Sequence, residues 1–131
     1  MSITEFERPS AESLILIPAR LPSVGVRTRL ALDTGASHTV IDLTLLLMAG
    51  YRLADAHRQV SFETAGGIVE AHVFQVTSLT ALGVTRTNFE VCSYDFFAQH
   101  ILTEFHGMLD LDFLAGYKVC IDLRESTITL S

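Results

Sequence analysis

The chain is poor in positive charge: nine Lys and Arg residues stand against fifteen Asp and Glu, a formal net charge of −6. The nine are scattered singly, so no basic stripe exists to neutralise phosphates, and no nucleic acid partner is expected. Cysteine is scarce as well. Cys92 and Cys120 sit inside apolar runs and read as buried thiols rather than as a bridge, which fits a reducing compartment. No apolar run reaches the roughly 20 residues needed to cross a bilayer, and the longest, Leu43 to Gly50, is interrupted by Thr44. Met1 to Arg8 is acidic and polar where a secretory leader would be basic and then apolar. The expected location is therefore the cytoplasm, with no membrane partner. The histidines, His38, His57, His72, His100 and His106, never take a spacing such as His-Glu-x-x-His, and the cysteines lack a base at a recognisable spacing. Neither a metal, nor any other cofactor, nor a cysteine nucleophile is expected. Internal repeats and low-complexity segments are missing too.

What is present is an ordered domain. At 131 residues, 49% apolar and 18% charged, the chain has the size and composition of one globular unit that can bury roughly two-thirds of its unfolded surface. Residues 1–10 contain Pro9 and show no period, and read as a flexible lead-in to a single domain over 11–131. Leu14 to Ile17 is strand-like, and Pro18 and Pro22-Ser23 punctuate its end. From Val24 to Leu32 apolar residues recur at every second position, the signature of a half-buried strand that ends at Asp33. Thr39 to Ile41 is a further short strand, and Asp42 is placed to cap a helix over Leu43 to Ala49 that Gly50 ends. Gln59 to Thr64 and Ile68 to Val76 form a hairpin with Ala65-Gly66-Gly67 at its tip, followed by a strand pair over Leu79–Leu82 and Arg86–Ser93. Tyr94 to His106 has no clear period. Leu109 to Ala115 reads as a short helix closed by Gly116, and Tyr117–Leu123 and Thr127–Leu130 as closing strands. Many short strands and two short helices, without βα alternation, make the chain all-β.

One carboxylate stands out. Asp33 ends an alternating strand and opens the turn Asp33-Thr34-Gly35-Ala36-Ser37, which leads straight into a second apolar strand. An aspartate before Thr and Gly is also an ordinary turn residue that bonds its own backbone. The flanking strands, however, make this run resemble the active-site loop of the retropepsin-like (retroviral-type) aspartic proteases of the pepsin superfamily. Gly66-Gly67-Ile68, about thirty residues on, resembles a flap tip. Gly107-Met108-Leu109-Asp110-Leu111-Asp112-Phe113-Leu114 is similar to the second signature of that family, two apolar residues and a glycine before a short helix.

The resemblance implies a closed, barrel-like acid-protease fold and peptide hydrolysis by a water that one carboxylate activates while a second, protonated carboxyl polarises the carbonyl. Two carboxyls that share one site do not both ionise, because like charges at close range repel. Asp33 is then the catalytic residue, with Thr34, Gly35 and Ala36 supporting its loop and Gly66, Gly67 and Ile68 binding substrate. Thr34 is implied to brace the partner's loop, and Gly35 to leave room where a Cβ would intrude. Where pepsin-like enzymes carry a serine, Ala36 offers no hydroxyl to favour the ionised form, so activity is expected at mildly acidic to near-neutral pH. His38 either tunes Asp33 or is an exposed turn residue.

No second Asp-Thr-Gly or Asp-Ser-Gly occurs, so the resemblance implies a homodimer about a two-fold axis, with a protein or peptide substrate extended between the halves. Asp110 departs from the pattern, standing where the family has glycine. It is either a solvated charge at a helix N-terminus, favoured by about 0.3 to 1 kcal/mol, or the mark of a site that has lost its tight packing. The alternative to an active endopeptidase is accordingly a protease-fold domain of weak or no activity that serves dimerisation or peptide binding.

Overall fold

The period-two pattern before Asp33 folds as a strand, but a shorter one than its alternation implies. Leu21 to Arg27 forms a turn, in which Ser23 takes a φ of 69°, and regular pairing starts only at Thr28. A computed structural model describes residues 1–10, 13–64, 66–96 and 105–131. Its elements in chain order are β1 (Ser2–Glu5), β2 (Leu16–Arg20), β3 (Thr28–Leu32), β4 (Val40–Asp42), α1 (Leu43–Met48) and a 3₁₀ turn at Leu53–Asp55. Then follow β5 (Arg58–Thr64), β6 (Gly67–Ala81), β7 (Val84–Tyr94), β8 (Gly107–Leu109), α2 (Leu111–Leu114), β9 (Val119–Asp122) and β10 (Thr127–Leu130). The expected all-β class with two short helices is what the chain adopts.

The larger sheet has the order β2-β3-β8-β4-β7-β6-β5, and the far end of β6 returns to pair with β2 at Ala19 and Arg20. The sheet is thereby partly closed, with β5 left outside the ring as one arm of a hairpin. Two apolar stretches expected as separate strands are one: β6 runs through Thr77 and Ser78, which do not break an extended backbone. Its first half pairs with β5, from Thr64↔Gly67 to Arg58↔Val73, and its second half with β7. The β6–β7 turn is Leu82-Gly83, with φ of 55° and 74°, as a tight two-residue hairpin connection requires.

Pro18 does not end β2 as its ring suggests. It lies opposite Arg29 within the strand and is exposed. Two residues earlier the N–H of Leu16 points to the outer side, where it bonds Glu7 O. The Pro18 nitrogen faces that same side, where β2 has no continuous strand partner, so no sheet hydrogen bond is lost.

The smaller sheet, β1-β10-β9, places a strand where the sequence suggests a flexible lead-in. Ser2 to Glu5 pairs antiparallel with Leu130 to Thr127. Its pattern hides it, because half-buried Ser2 and Thr4 face inward while Ile3 is exposed. Ser2 Oγ donates to Leu82 O at 2.6 Å, and buried Phe6 donates its N–H to Ser126 O. β10 is thus paired within the chain. Cys120, expected to be buried, is exposed on the edge strand β9, and Cys92 is half-buried; both are free thiols. The tip residue Ala65, His100 and most of Tyr94–His106 lie outside the described residues.

The core lies between the ring and the helices. Ile17, Leu30, Ile41, Phe74, Leu109 and Phe113 have no more than a trace of exposed surface, and each contributes roughly 1.5 to 3 kcal/mol by leaving water. Since Leu30, Ile41 and Leu109 belong to β3, β4 and β8, the same burial that holds the core fixes the three strands around Asp33. Among the described residues no helix is long and apolar enough to cross a membrane.

Candidate active site

β3 and β8 run parallel, with Leu32 beside Leu109, and this register sets the position of the next residue. The Asp33 N–H donates to Leu109 O at 2.9 Å, so the carboxylate leaves the sheet edge at a fixed angle. Asp33 Oδ1 in turn accepts the Gly35 N–H at 2.9 Å. The ordinary turn bond is therefore present, and it uses one oxygen of a carboxyl that remains half-exposed. A Cβ on Gly35 would stand 3.2 Å from that oxygen, tighter than usual packing, which is a physical reason for glycine here. Thr34 is exposed, and Ala36 is half-buried, its carbonyl accepting the Leu111 N–H at 3.1 Å.

The loop is held from behind by α2. Thr39, fully buried, donates its N–H to the Asp112 carboxylate at 3.0 and 3.1 Å and its hydroxyl to Asp112 Oδ1 at 2.6 Å. The same hydroxyl accepts the Asp110 N–H at 3.2 Å, and Asp112 also accepts the N–H of Phe113 at 2.8 Å. α2 is itself tied to β7: Arg86 donates to Phe113 O and Ala115 O at 2.6 to 3.0 Å, and its guanidinium lies over the rings of Phe113 and Tyr117. At the other end of β8, His106 joins β3 to β4, donating its N–H to Arg29 O and accepting the N–H of Asp42. Gly107 then passes so close to β4 that a Cβ would meet Val40 O at 2.0 Å, at a φ of +149°.

Sequence reasoning singles out neither Thr39, Asp112, Arg86 nor His106 as part of this frame. The available signal is polar residues at inward positions beside the two signature runs: a threonine opening the strand after the loop and an aspartate in the first turn of the short helix. Asp110 stands out in the sequence, but its surroundings do not. Expected either solvated or loosely packed, it is 1% exposed, and neither carboxylate oxygen has a hydrogen-bond partner among the described residues. Burial, with the charges of Asp33 and Asp112 adding to it, pushes its carboxyl from the ordinary aspartate value up to about 7.

The glycine-tipped hairpin is present, with Gly67 at a φ of +117°. Gly66, Gly67 and Ile68 are exposed, Ile68 at 74%, so a single chain leaves the tip open to solvent. Lower down, the hairpin and the active-site loop meet around one cavity of about 230 Å³. His38 of the loop lines it together with Arg58, Val73, Phe89, Cys92 and Asp112. His38 is exposed, as an ordinary turn residue would be, and burial pushes the Cys92 thiol up. Among the described residues no three His, Cys, Asp or Glu side chains gather to hold a metal ion.

The geometry matches what is found among known proteins. A search of curated proteins gives no significant match. Among solved structures, the chain is similar to a retropepsin-like aspartic protease from Rickettsia conorii, with a TM-score of 0.66 at 19% identity over 96% of this chain and 94% of that one. At that identity the likeness establishes the fold, which is retropepsin-like. The family model described as aspartyl protease matches residues 17–113, a span that runs from β2 through the Asp33 loop to the Asp112 brace. The chain belongs to the aspartyl protease family.

Proposed function

We propose that this protein is an aspartic endopeptidase that works as a homodimer, with Asp33 of each chain supplying one half of a carboxyl pair. The observation that carries the reading is the state of Asp33 in one chain: anchored through its backbone to β8, half-exposed, and delivered by the single Asp-Thr-Gly loop of the sequence. A lone carboxylate has no second acid to polarise a peptide carbonyl, and a two-fold axis past the loop supplies one.

In that assembly the ionised Asp33 takes a proton from water as its oxygen attacks the peptide carbon. The protonated Asp33 of the partner donates to the carbonyl oxygen, giving a neutral tetrahedral diol. Collapse of the diol breaks the C–N bond: the carboxyl that took the water proton delivers it to the leaving nitrogen while the other takes a hydroxyl proton from the diol, so the pair again holds a single shared proton. Gly66, Gly67 and Ile68, open in one chain, would close over an extended peptide and exclude water from the pair. Thr34, exposed beside Asp33, is free to meet the partner's loop.

Incubation of the purified chain with a mixed peptide library from about pH 4 to about pH 8, beside Asp33→Asn, tests the chemistry. Cleavage by the wild type that is lost in the variant supports it; cleavage by both refutes the role of Asp33. Sedimentation tests the dimer, and a chain that stays monomeric with substrate bound removes the mechanism. A second reading, a protease-fold domain that binds peptide or dimerises with little activity, has one observation in its favour, the buried and unpartnered Asp110. Silence of the wild type across the pH range would select it.

A further inference from the structure

Asp110 has no part in the chemistry above, yet it is the one fully buried acid among the described side chains. Its backbone is fixed on both sides. Leu109 O holds Asp33, the Asp110 N–H is given to Thr39, and the next N–H, of Leu111, is given to Ala36. Among the described residues, the side chain that leaves this pinned backbone finds no donor for either oxygen. The ionisable groups facing it are Asp33 from the β3–β4 loop, Asp112 from α2 and the Cys92 thiol on β7. The charges that act on it are thus both negative. No cation among the described residues acts on this carboxylate to offset its loss of hydration. To ionise, it would have to swing out, and its backbone cannot follow without releasing Leu109, Thr39 and Ala36.

We propose that Asp110 is a positioning residue that works only as the neutral acid, so that the loop carrying Asp33 keeps its geometry while Asp110 holds its proton and loses that geometry when the proton leaves. In a homodimer two such acids flank the pair, one behind each Asp33. The sign of the pH dependence follows. An unfolded aspartate gives up its proton at about pH 4, whereas folded Asp110 keeps it up to about 7. Between those values the folded state holds the extra proton, so the stabilisation is complete below the lower one and declines as pH rises through the upper one. The loop, and with it hydrolysis, therefore meets an upper pH limit that Asp33 does not set.

Three measurements on the full chain test this, and only the last rests on the protease reading. Carbon-13 carboxyl NMR of the wild type is expected to show Asp110 titrating near neutrality, and at lower pH once Asp33→Asn removes one of the two repelling charges. Asp110 titrating in the ordinary aspartate range overturns the proposal without any variant that must fold. The melting temperature of the wild type is expected to fall between about pH 5 and about pH 8 more steeply than that of Asp110→Asn, which keeps the shape without the titration. Parallel profiles overturn it, and Asp110→Gly gives the same comparison if the asparagine variant does not fold. The ratio of hydrolysis rate at about pH 8 to that at about pH 5 is expected to rise roughly a hundredfold in Asp110→Asn, about tenfold for each of the two acids that titrates a unit below the assay pH. An unchanged ratio in an active variant refutes the limit. Absence of hydrolysis in every variant refutes the protease reading, while the NMR and melting results still decide the state of Asp110.

Discussion

Replacing Asp112 with alanine should cost more than any other single change at an acid of this site that touches no reacting atom. The carboxylate accepts three donors: the N–H and hydroxyl of Thr39 and the N–H of Phe113. Hydrogen bonds to a charged acceptor contribute about 1.5 to 3 kcal/mol each, and a buried donor left without a partner costs about 1 to 3 kcal/mol. Thr39 is fully buried, so water cannot replace what it loses. The three bonds share one side chain and do not add, which brings the expected loss for Asp112→Ala to about 3 to 4 kcal/mol out of a total stability of about 5 to 15 kcal/mol. Asp112→Asn keeps an oxygen for Thr39 but not the charge, and charged bonds are about twice as strong as neutral ones, so about half that loss should remain. Urea unfolding with an unchanged slope measures both. A cycle with Thr39→Val isolates the pair, with a coupling of about 1.5 to 3 kcal/mol expected. Asp112→Ala within about 0.5 kcal/mol of wild type would show that the brace is not what holds the loop.

Two further substitutions probe the same frame. Gly107→Ala drives a Cβ into Val40 O and should cost more than about 3 kcal/mol, because backbone on both sides has to move; a wild-type melting curve would contradict the closeness of β4 and β8. Arg86→Ala removes the donors to Phe113 O and Ala115 O and should cost about 2 kcal/mol in thermal unfolding, with Arg86→Lys recovering less than half because an ammonium cannot fork between two carbonyls. Full recovery by lysine would show that charge alone suffices.

The parts of the fold legible in the sequence are those whose cause is local. The Asp33 turn, the Gly66-Gly67 hairpin, α1 with Gly50 behind it, and β10 each follow from residues within a few positions of one another. What escapes is set by distant partners. The Thr39–Asp112 bond joins residues 73 apart, and nothing near either residue announces the other. β1 reads as a loop because its inward face is polar and finds Leu82 O across a separation of 80. Cys120 looks buried in an apolar run, but a run on the edge of a three-stranded sheet has one face in water. Pro18 is a breaker by its own chemistry and is tolerated only because of where β2 lies. Asp110 is the instructive case. A charged residue at a position the resemblance gives to glycine is conspicuous, yet whether it meets solvent or the core depends on β8 packing against β3.

The pairing of β8 with β3 also imposes an order in time. The Asp-Thr-Gly loop leaves the ribosome first, and the atoms that hold it, Leu109 O and the Asp112 carboxylate, are made some 70 to 80 positions later. Contacts of that span form late, since the chain has to close a long loop before they contribute. A nascent chain that has emerged only as far as β7 carries the aspartate without the strand that aims it. Any activity built on this loop therefore waits until β8 and α2 have been made and have docked against β3 and Thr39.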